Sequence, residues 1–315
     1  MEEFEPVPLD PMLETYIFGK RNDPRFSDMT PREARQSRAD SRMQRWDEAV
    51  PVAAEDVEIP MPWGPCAARL YRPEGATGTQ ALALFFHGGG FVVCSIETHD
   101  GLARSISGGA GMAVLSVDYR LAPEHVFPAA RDDAIASLHW VLAHAEDLSI
   151  DPASLFLIGD SAGAHVALSA VLALGTTAMP VTLAGIALFY PVLDAPAIGQ
   201  GSYIEFANGY GLTASDMTWF WDHYTARAAD PEAARLLVLE NLSALPPCYI
   251  LTAEYDVLRD EGEALAARLF QAGVPVSGRR VKGVNHNFLA FARDLPAAGA
   301  AIREVCEWLR HLAAK

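Results

Sequence analysis

Short apolar segments alternate with helical patterns from about residue 55 to the end of the chain. The apolar segments expected to be strands are 56–59, 67–71, 81–86, 113–117, 155–158, 185–189, 248–252 and 276–281. The helical patterns between them are 98–107, 128–145, 162–174, 257–272 and 295–312. This alternation is typical of a mostly parallel sheet covered by helices on both faces. The sequence therefore predicts an α/β fold with an eight-stranded sheet.

Two segments do not follow the alternation. Residues 1–50 are polar and carry helix-start signals, namely Asp10 before Pro11 and the run TPRE at 30–33, which opens a helix expected to reach about Trp46. Residues 195–245 begin with a loop rich in glycine and aromatic residues, and they continue into a helix opened by Thr213. A long irregular lead-in is unusual for a helix that only covers a sheet. This second segment is expected to be an insertion above the functional site.

Composition and charge exclude several classes of protein. The chain of 315 residues has a formal net charge of −16, which opposes a nucleic-acid partner. No apolar stretch approaches the ~20 residues needed to span a bilayer. The acidic N-terminus does not resemble a signal peptide, and the four cysteines are far apart, so a cytoplasmic protein with reduced thiols is expected. No metal-ligand spacing is found, and no cofactor or metal is expected.

The sequence GDSAG at residues 159–163 lies between an apolar strand and a helical pattern. A G-x-S-x-G motif in this context is typical of a nucleophile elbow. The serine of such a turn takes a strained backbone conformation, and residues without bulk at −2 and +2 let neighbouring chain come close. The alternative is an ordinary strand-to-helix turn. Ser161 is therefore the candidate nucleophile.

The sequence HGGG at residues 87–90 follows the strand expected at 81–86. Glycines let the backbone approach a substrate closely and turn N–H groups toward a developing oxyanion. A flexible loop is the alternative interpretation. His87 is expected to fix this loop by hydrogen bonding.

A serine nucleophile needs a base and an acid that orients the base. Of nine histidines, His286 is the one that lies after the last strand and before the final helix, as the order serine, acid, histidine requires. The acid is expected after the strand at 248–252. Glu254 and Asp256 both fit that position, whereas Asp260 falls inside the following helix.

Four motifs together resemble the hormone-sensitive-lipase-like esterases, the bacterial family IV carboxylesterases of the α/β-hydrolase fold. They are GDSAG, HGGG, DYRLAPEH at 118–125 and EYDVLRDEG at 254–262. The resemblance covers roughly residues 55–313. It implies a catalytic domain formed by residues 51–194 and 241–315, and a helical cap formed by residues 1–50 and 195–240. It also implies cis peptide bonds before Pro123 and Pro128.

The family pattern also implies roles for individual residues. It makes Asp256 the triad acid beside Ser161 and His286. It makes the oxyanion hole from the backbone N–H groups of Gly89, Gly90 and Ala162. Seven further residues are candidates for contact with the substrate: Asp160, Phe91, Asn287, Phe288, Tyr190, Tyr210 and Phe206.

Three positions depart from the family pattern. The triad aspartate is usually followed by proline, where this chain has Val257. The histidine is usually followed by glycine, where this chain has Asn287, and the elbow is commonly followed by Gly-Asn, here Ala164-His165. Asparagine tolerates the left-handed backbone conformation, so Asn287 is expected to keep the loop shape.

The sequence thus predicts a serine carboxylesterase that cleaves short- to medium-chain esters of small molecules through an acyl-enzyme. Lactone, amide or acetyl-group hydrolysis would use the same residues and stays an alternative. A non-catalytic small-molecule receptor of the same fold is a further alternative, which the intact serine, acid and histidine disfavour. Because related enzymes are often dimers, a homodimer is expected by analogy.

Overall fold

A computed structural model describes residues 7–40, 51–178, 182–238 and 242–314. The predictions on the acidic N-terminus and on the end of the second helix near Trp46 lie outside these residues. The described residues contain the following strands: β1 (Val52–Ile59), β2 (Cys66–Pro73), β3 (Gln80–Phe86), β4 (Ala113–Val117), β5 (Ile150–Asp160), β6 (Gly185–Phe189), β7 (Cys248–Tyr255) and β8 (Val276–Asn285).

Helices connect and cover these strands. In chain order they are α1 (Pro11–Lys20), α2 (Pro31–Asp40), α3 (Ile96–Ala110), α4 (Ala129–Ala143), α5 (Ala162–Ala178), α6 (Ser202–Glu205), α7 (Ala214–Thr225), α8 (Arg259–Gln271) and α9 (Pro296–Ala313). The Ala122–Pro123 and Phe127–Pro128 peptide bonds are cis, as the resemblance implied.

The strands form one sheet in the order β1-β2-β4-β3-β5-β6-β7-β8. The pairs β1–β2 and β2–β4 are antiparallel, and every other neighbouring pair is parallel. The predicted mostly parallel, eight-stranded α/β sheet is therefore confirmed. Parallel strands present their carboxyl ends at one edge, which is where ligands bind in open α/β sheets.

Both faces of the sheet are buried, as the continuous apolar runs predicted. Along β3, Leu82, Leu84 and Phe86 belong to one hydrophobic cluster, and the alternate residues Ala83 and Phe85 belong to another. Buried residues of α4, α5 and α8 join the first cluster, and those of α3 and α9 join the second. The helices therefore cover the sheet on its two sides.

Several strands are longer than their apolar cores. β4 and β6 have the predicted bounds, but β1 begins at Val52 and β8 continues to Asn285. The added residues of β1 are mostly exposed and are held by regular pairing with β2, which hydrophobicity cannot detect. At β8, the pair Tyr255–Asn285 extends the strand to the residue before His286.

The predicted helix starts are present. The Asp10 side chain accepts a hydrogen bond from the Met12 backbone N–H at 2.9 Å, with Pro11 as the first residue of α1. Thr30 and Glu33 form the predicted capping box: each side chain accepts from the other's backbone N–H, at 3.3 and 2.8 Å. Thr213 opens α7 with a capping box of its own.

The two segments expected to form a cap contact each other. The Phe26 ring centroid lies 5.0 Å from that of Phe220, and the Ser27 backbone N–H donates to Asp216 at 3.1 Å. Arg25 Nη1 donates to the Asn208 side chain at 2.6 Å. The segment after α1 therefore packs against α7 and the loop before it.

A buried carboxylate on α8 holds the chain after β6 and the start of the segment 195–240. Glu261, on α8, accepts hydrogen bonds from the Tyr203 hydroxyl at 2.7 Å and from the Asp194 backbone N–H at 2.8 Å, and also from the Leu193 backbone N–H. Its burial raises its pKa from 4.5 to about 8, although these donors oppose the shift. The folded protein thus retains a proton that the unfolded chain releases.

This pKa difference makes the stability depend on pH. As the pH rises from about 4.5 to about 8, the unfolded chain ionises Glu261 before the folded one does, so the free energy of unfolding falls. In the parent protein we expect the free energy of unfolding to fall by on the order of 2–4 kcal/mol over this pH range because of Glu261, and we expect Glu261→Gln to remove that fall. Urea unfolding at pH 5 and pH 8.5 would measure it.

Glu263→Gln is the matched control, because Glu263 is on the same helix and pairs with Arg280 at the surface at 2.6 Å. We expect that variant to keep the pH dependence of the parent protein. Equal pH dependence in the parent and in Glu261→Gln would show that Glu261 does not titrate in this window.

Candidate active site

The turn between β5 and α5 holds Ser161 in a left-handed backbone conformation, with φ at +52°. A Cβ atom at Gly163 would overlap the carbonyl oxygen of Phe86, and one at Gly159 would overlap the backbone of Gly163. These two contacts explain why the residues at −2 and +2 are glycines. The Ser161 backbone N–H donates to the Phe189 carbonyl at 2.8 Å, which ties the turn to the neighbouring strand.

Ser161, His286 and Asp256 form a continuous chain of contacts. His286 Nε2 lies 3.0 Å from Ser161 Oγ, and His286 Nδ1 lies 2.7 Å from Asp256 Oδ2. Ser161, His286 and Asp256 directly follow the last residues of β5, β8 and β7, and these strand ends share one edge of the sheet. Asp256 is 1% exposed, and its other carboxylate oxygen accepts from the Leu258 backbone N–H at 2.9 Å.

The other two carboxylates considered for the acid have different partners. Glu254 accepts from the Gly283 backbone N–H at 2.7 Å and so holds the end of β8, which leads to His286. Asp260, on α8, accepts from the Ser202 backbone N–H at 2.9 Å. Of the three candidates, Asp256 is the one in contact with His286.

The glycine loop after β3 lies against the same cavity as Ser161. Gly89 and Gly90 both have positive φ, at +119° and +57°. A Cβ atom at Gly89 would overlap the Val93 carbonyl, and one at Gly90 would overlap the Phe220 ring. Only glycine therefore fits either position, and the backbone rather than a side chain faces the cavity.

The Asp160 carboxylate connects this loop to the elbow. Its Oδ1 accepts from the Gly88 backbone N–H at 2.9 Å, and its Oδ2 lies 3.3 Å from His99 Nε2. His99 Nδ1 lies 2.9 Å from the Thr98 hydroxyl. The sequence analysis missed His99, because no spacing along the chain links it to the elbow.

His87 contributes to the loop through packing as well as hydrogen bonding. Its ring stacks on that of Tyr119 at 4.5 Å, and the Tyr119 hydroxyl donates to the His87 carbonyl at 2.7 Å. His87 Nδ1 lies 2.7 Å from the Gly88 carbonyl oxygen. These contacts agree with the prediction that His87 fixes the loop.

A cavity of about 360 Å³ opens in front of Ser161 and His286. Its walls come from residues between Tyr16 and Arg38, from the glycine loop, from the elbow and from the loop around His286. Leu212, Met217 and Phe220 supply an apolar wall. The sequence did not predict that these three residues line the cavity. The aromatic pattern of α7, to which Phe220 belongs, was the signal that could have indicated this wall.

The seven predicted substrate contacts divide into two groups. Asp160 and Asn287 line the cavity. The other five are not among its lining residues: Phe91 stacks on Tyr224 at 3.8 Å, Tyr190 contacts His286 and Phe288, and Phe206 and Tyr210 pack with Tyr255. The ring centroids of Tyr190 and His286 are 4.8 Å apart, so Tyr190 supports the imidazole from the side.

The departures from the family pattern keep the loops in place. Asn287 takes the left-handed conformation with φ at +62°, as predicted, and Val257 is fully buried. His165 does not line the cavity, and its ring centroid lies 5.1 to 5.7 Å from those of Phe91, Trp221 and Tyr224. Burial lowers the pKa of His165 to about 3, so the ring is neutral at physiological pH.

The described residues contain no group of three or more His, Cys, Asp or Glu side chains placed to hold a metal ion. Among the same residues, no helix is both long enough and apolar enough to cross a membrane.

Known proteins share this fold and much of this sequence. A family model described as the alpha/beta hydrolase fold matches residues 83–290. Carboxylic ester hydrolase LipN of Mycobacterium tuberculosis is 39% identical over 273 residues, covering 82% of this chain and 70% of that protein. Ethyl acetate hydrolase of Pseudomonas putida is 36% identical over 252 residues, covering 77% of each chain.

Solved structures of esterases superpose on nearly the whole of this chain. A thermostable esterase from Pseudomonas putida superposes with a TM-score of 0.90 at 30% identity, covering 98% of this chain and 99% of that one. A hyperthermophilic esterase from the archaeon Pyrobaculum calidifontis superposes with a TM-score of 0.87 at 33% identity, covering 98% of this chain and 100% of that one.

The sheet topology and these matches define the chain as an α/β hydrolase. Within that fold it belongs to the hormone-sensitive-lipase-like family, and it is a carboxylic ester hydrolase.

The close approach at the elbow yields a stability prediction. In Gly163→Ala the new methyl group would overlap the Phe86 carbonyl, so we expect the free energy of unfolding to fall by more than about 2 kcal/mol. Gly19→Ala is the matched control, because open space surrounds that position on α1. It should change stability by no more than about 1 kcal/mol. Similar losses in the two variants, measured by urea unfolding, would contradict this account.

Proposed function

We propose that the chain hydrolyses short- to medium-chain carboxylic esters through an acyl-enzyme intermediate at Ser161. The observation that carries this proposal is the contact chain from Ser161 Oγ through His286 to Asp256, with distances of 3.0 and 2.7 Å. Since one relative is an ethyl acetate hydrolase, a small ester is the expected substrate.

The first half of the reaction forms the acyl-enzyme. His286 Nε2 takes the proton of Ser161 Oγ as that oxygen attacks the acyl carbon. The backbone N–H groups of Gly89, Gly90 and Ala162 bind the oxyanion of the tetrahedral intermediate. The bond to the alcohol oxygen then breaks, and His286 donates its proton to the departing alkoxide.

The second half releases the acid. A water molecule attacks the acyl carbon and gives its proton to His286 Nε2. The bond from the acyl carbon to Ser161 Oγ breaks, the proton returns to that oxygen, and the carboxylic acid leaves. Atoms and charges balance over the two halves: one ester and one water give one alcohol and one acid.

Asp256 acts on His286 rather than on the substrate. Its buried carboxylate, 2.7 Å from Nδ1, favours the tautomer with the proton on Nδ1 and stabilises the imidazolium that forms in each half-reaction. Its second oxygen is held by the Leu258 N–H, so the carboxylate has one orientation toward the ring.

We assign residues 1–50 and 195–240 to a cap and residues 51–194 and 241–315 to the catalytic domain. In support, described parts of both cap segments line the cavity and contact each other through Phe26 and Phe220. A reducing, cytoplasmic location is proposed because Cys66, Cys94, Cys248 and Cys306 are all free thiols.

The triad assignment predicts the effect of two substitutions. Ser161→Ala should lower kcat/KM for 4-nitrophenyl butyrate by at least about a thousandfold, and Asp256→Asn by about 10²- to 10⁴-fold, because each removes one member of a unit that acts together. Both variants should retain the unfolding midpoint of the parent within a few degrees.

Asp260→Asn is the control, since Asp260 is the nearby carboxylate that does not contact His286. We expect its activity to stay close to that of the parent. If Ser161→Ala remained active, or if Asp260→Asn lost as much activity as Asp256→Asn, the assignment would be wrong.

The size of the cavity predicts the preferred acyl chain. At about 360 Å³ it is near the lower end of the range of ~300–1,000 Å³ that is usual for small-molecule sites. A long acyl chain would extend beyond it and gain no further burial. Across a series of 4-nitrophenyl esters, kcat/KM should be highest from butyrate to octanoate and at least about tenfold lower for palmitate. A rate that rises up to palmitate would refute the limit.

A further inference from the structure

The outer wall of the cavity carries positive charge in a protein that is strongly acidic. The chain has 24 Lys and Arg against 40 Asp and Glu. Even so, the cavity is lined by Lys20 at the end of α1, by Arg21 and Arg25 in the segment that follows, and by Arg38 on α2. Three carboxylates, those of Asp23, Asp160 and Asp216, also line the cavity, so whether these cations can attract an anion depends on what the carboxylates bind.

The carboxylates that line the cavity are bound to other groups. Asp216 accepts from the Ser27 and Thr213 backbone N–H groups, each at 3.1 Å, and from the Thr213 hydroxyl at 2.6 Å. Asp160 accepts from the loop beside Ser161. Asp23 pairs with Lys20 at 2.9 Å. None of the partners named for these three carboxylates is an arginine of the wall.

Arg21 and Arg25 have neutral partners. The Arg21 guanidinium lies 3.8 Å from the centroid of the Phe18 ring, and Arg25 Nη1 donates to the Asn208 side-chain oxygen. Among the described residues, neither guanidinium is within ion-pair distance of a carboxylate; Asp28 accepts only from the backbone N–H of Arg25. A guanidinium has five N–H donors, so these contacts leave donors for a planar anion.

Several other arginines of this chain pair with carboxylates. Arg69 meets Asp56 and Glu97 at 2.6 and 2.7 Å, and Arg280 meets Glu263 at 2.6 Å. The guanidinium groups of Arg21 and Arg25, by contrast, have no carboxylate partner among the described residues.

An aromatic path connects this wall to the glycine loop. The Phe220 ring packs directly on Gly90, and Phe26 packs on Phe220 with ring centroids 5.0 Å apart. Arg25 precedes Phe26 in the chain. A substrate whose carbonyl is bound at the glycine loop can thus lie along these two rings and place its far end near the arginines.

We propose that the preferred substrates are esters that carry a carboxylate at the end remote from the scissile bond, with Arg21 and Arg25 binding that carboxylate. This inference rests on the proposed function, because it names the substrate class of the same site. The guanidinium fork matches the two oxygens of a carboxylate, and the apolar wall of Leu212, Met217 and Phe220 contacts the hydrocarbon between the two ends.

The test compares two esters that share the scissile bond: mono-4-nitrophenyl adipate, which carries a carboxylate at its far end, and methyl 4-nitrophenyl adipate, in which that carboxylate is a neutral methyl ester. Release of 4-nitrophenol from each is corrected for spontaneous hydrolysis. The measured quantity is the ratio of kcat/KM for the anionic ester to that for the neutral one. In the double variant Arg21→Gln/Arg25→Gln this ratio should fall about three- to tenfold, mostly through KM. In the parent protein the ratio should also fall as ionic strength rises to about 0.5 M.

Arg303→Gln/Arg310→Gln is the matched control, because it removes the same charge from exposed positions on α9, which contributes no residue to the cavity. Its ratio should equal that of the parent. An unchanged ratio in the cavity variant, or an equal fall in both variants, would overturn the inference while leaving the esterase activity intact. If the parent protein hydrolysed neither ester, that result would instead overturn the proposed function, and this inference with it.

Discussion

The structure depends on how closely the start of α5 approaches the ends of β3 and β5. Gly163 leaves no room for a side chain beside the Phe86 carbonyl, and Gly159 leaves none beside Gly163. This contact holds the Ser161 turn against the strand from which the glycine loop emerges. The positions of the hydroxyl, of the loop and of the amino end of α5 are therefore set by one backbone packing arrangement, and the two glycines make it possible.

Buried polar groups attach the remaining parts of the site to this centre. Glu254 holds the end of β8 before His286, Glu261 holds the chain after β6, and Asp216 joins α7 to the segment after α1. Each carboxylate accepts from backbone N–H groups of a distant segment, which compensates for its removal from water. The sheet thus supplies the rigid half of the site. The outer half is assembled by a few directed hydrogen bonds and by aromatic packing.

Much of this arrangement could be read from the sequence. The apolar runs located all eight strands, the GDSAG motif indicated Ser161, and chain order indicated His286; the residues alone left Glu254 and Asp256 open, and the family resemblance selected Asp256. The strand ends were harder, because at β1 and β8 pairing continues past the apolar residues. His99 was missed since its contact with Asp160 joins positions 61 residues apart. The side to which Phe91 or Tyr210 turns depends on tertiary packing, which a linear pattern does not contain.

Asp160 has a mechanical consequence of its own. It is the residue before Ser161, and its carboxylate is bonded to the N–H of Gly88, immediately before the glycines that face the cavity. One peptide link and one hydrogen bond therefore set the spacing between the Ser161 hydroxyl and the backbone of Gly89 and Gly90. This connection is made by the last residue of β5 and by the loop after β3, and neither α1, α2, α6 nor α7 takes part in it. The spacing between the serine turn and the glycine loop is therefore set by the sheet and not by the helices at the entrance.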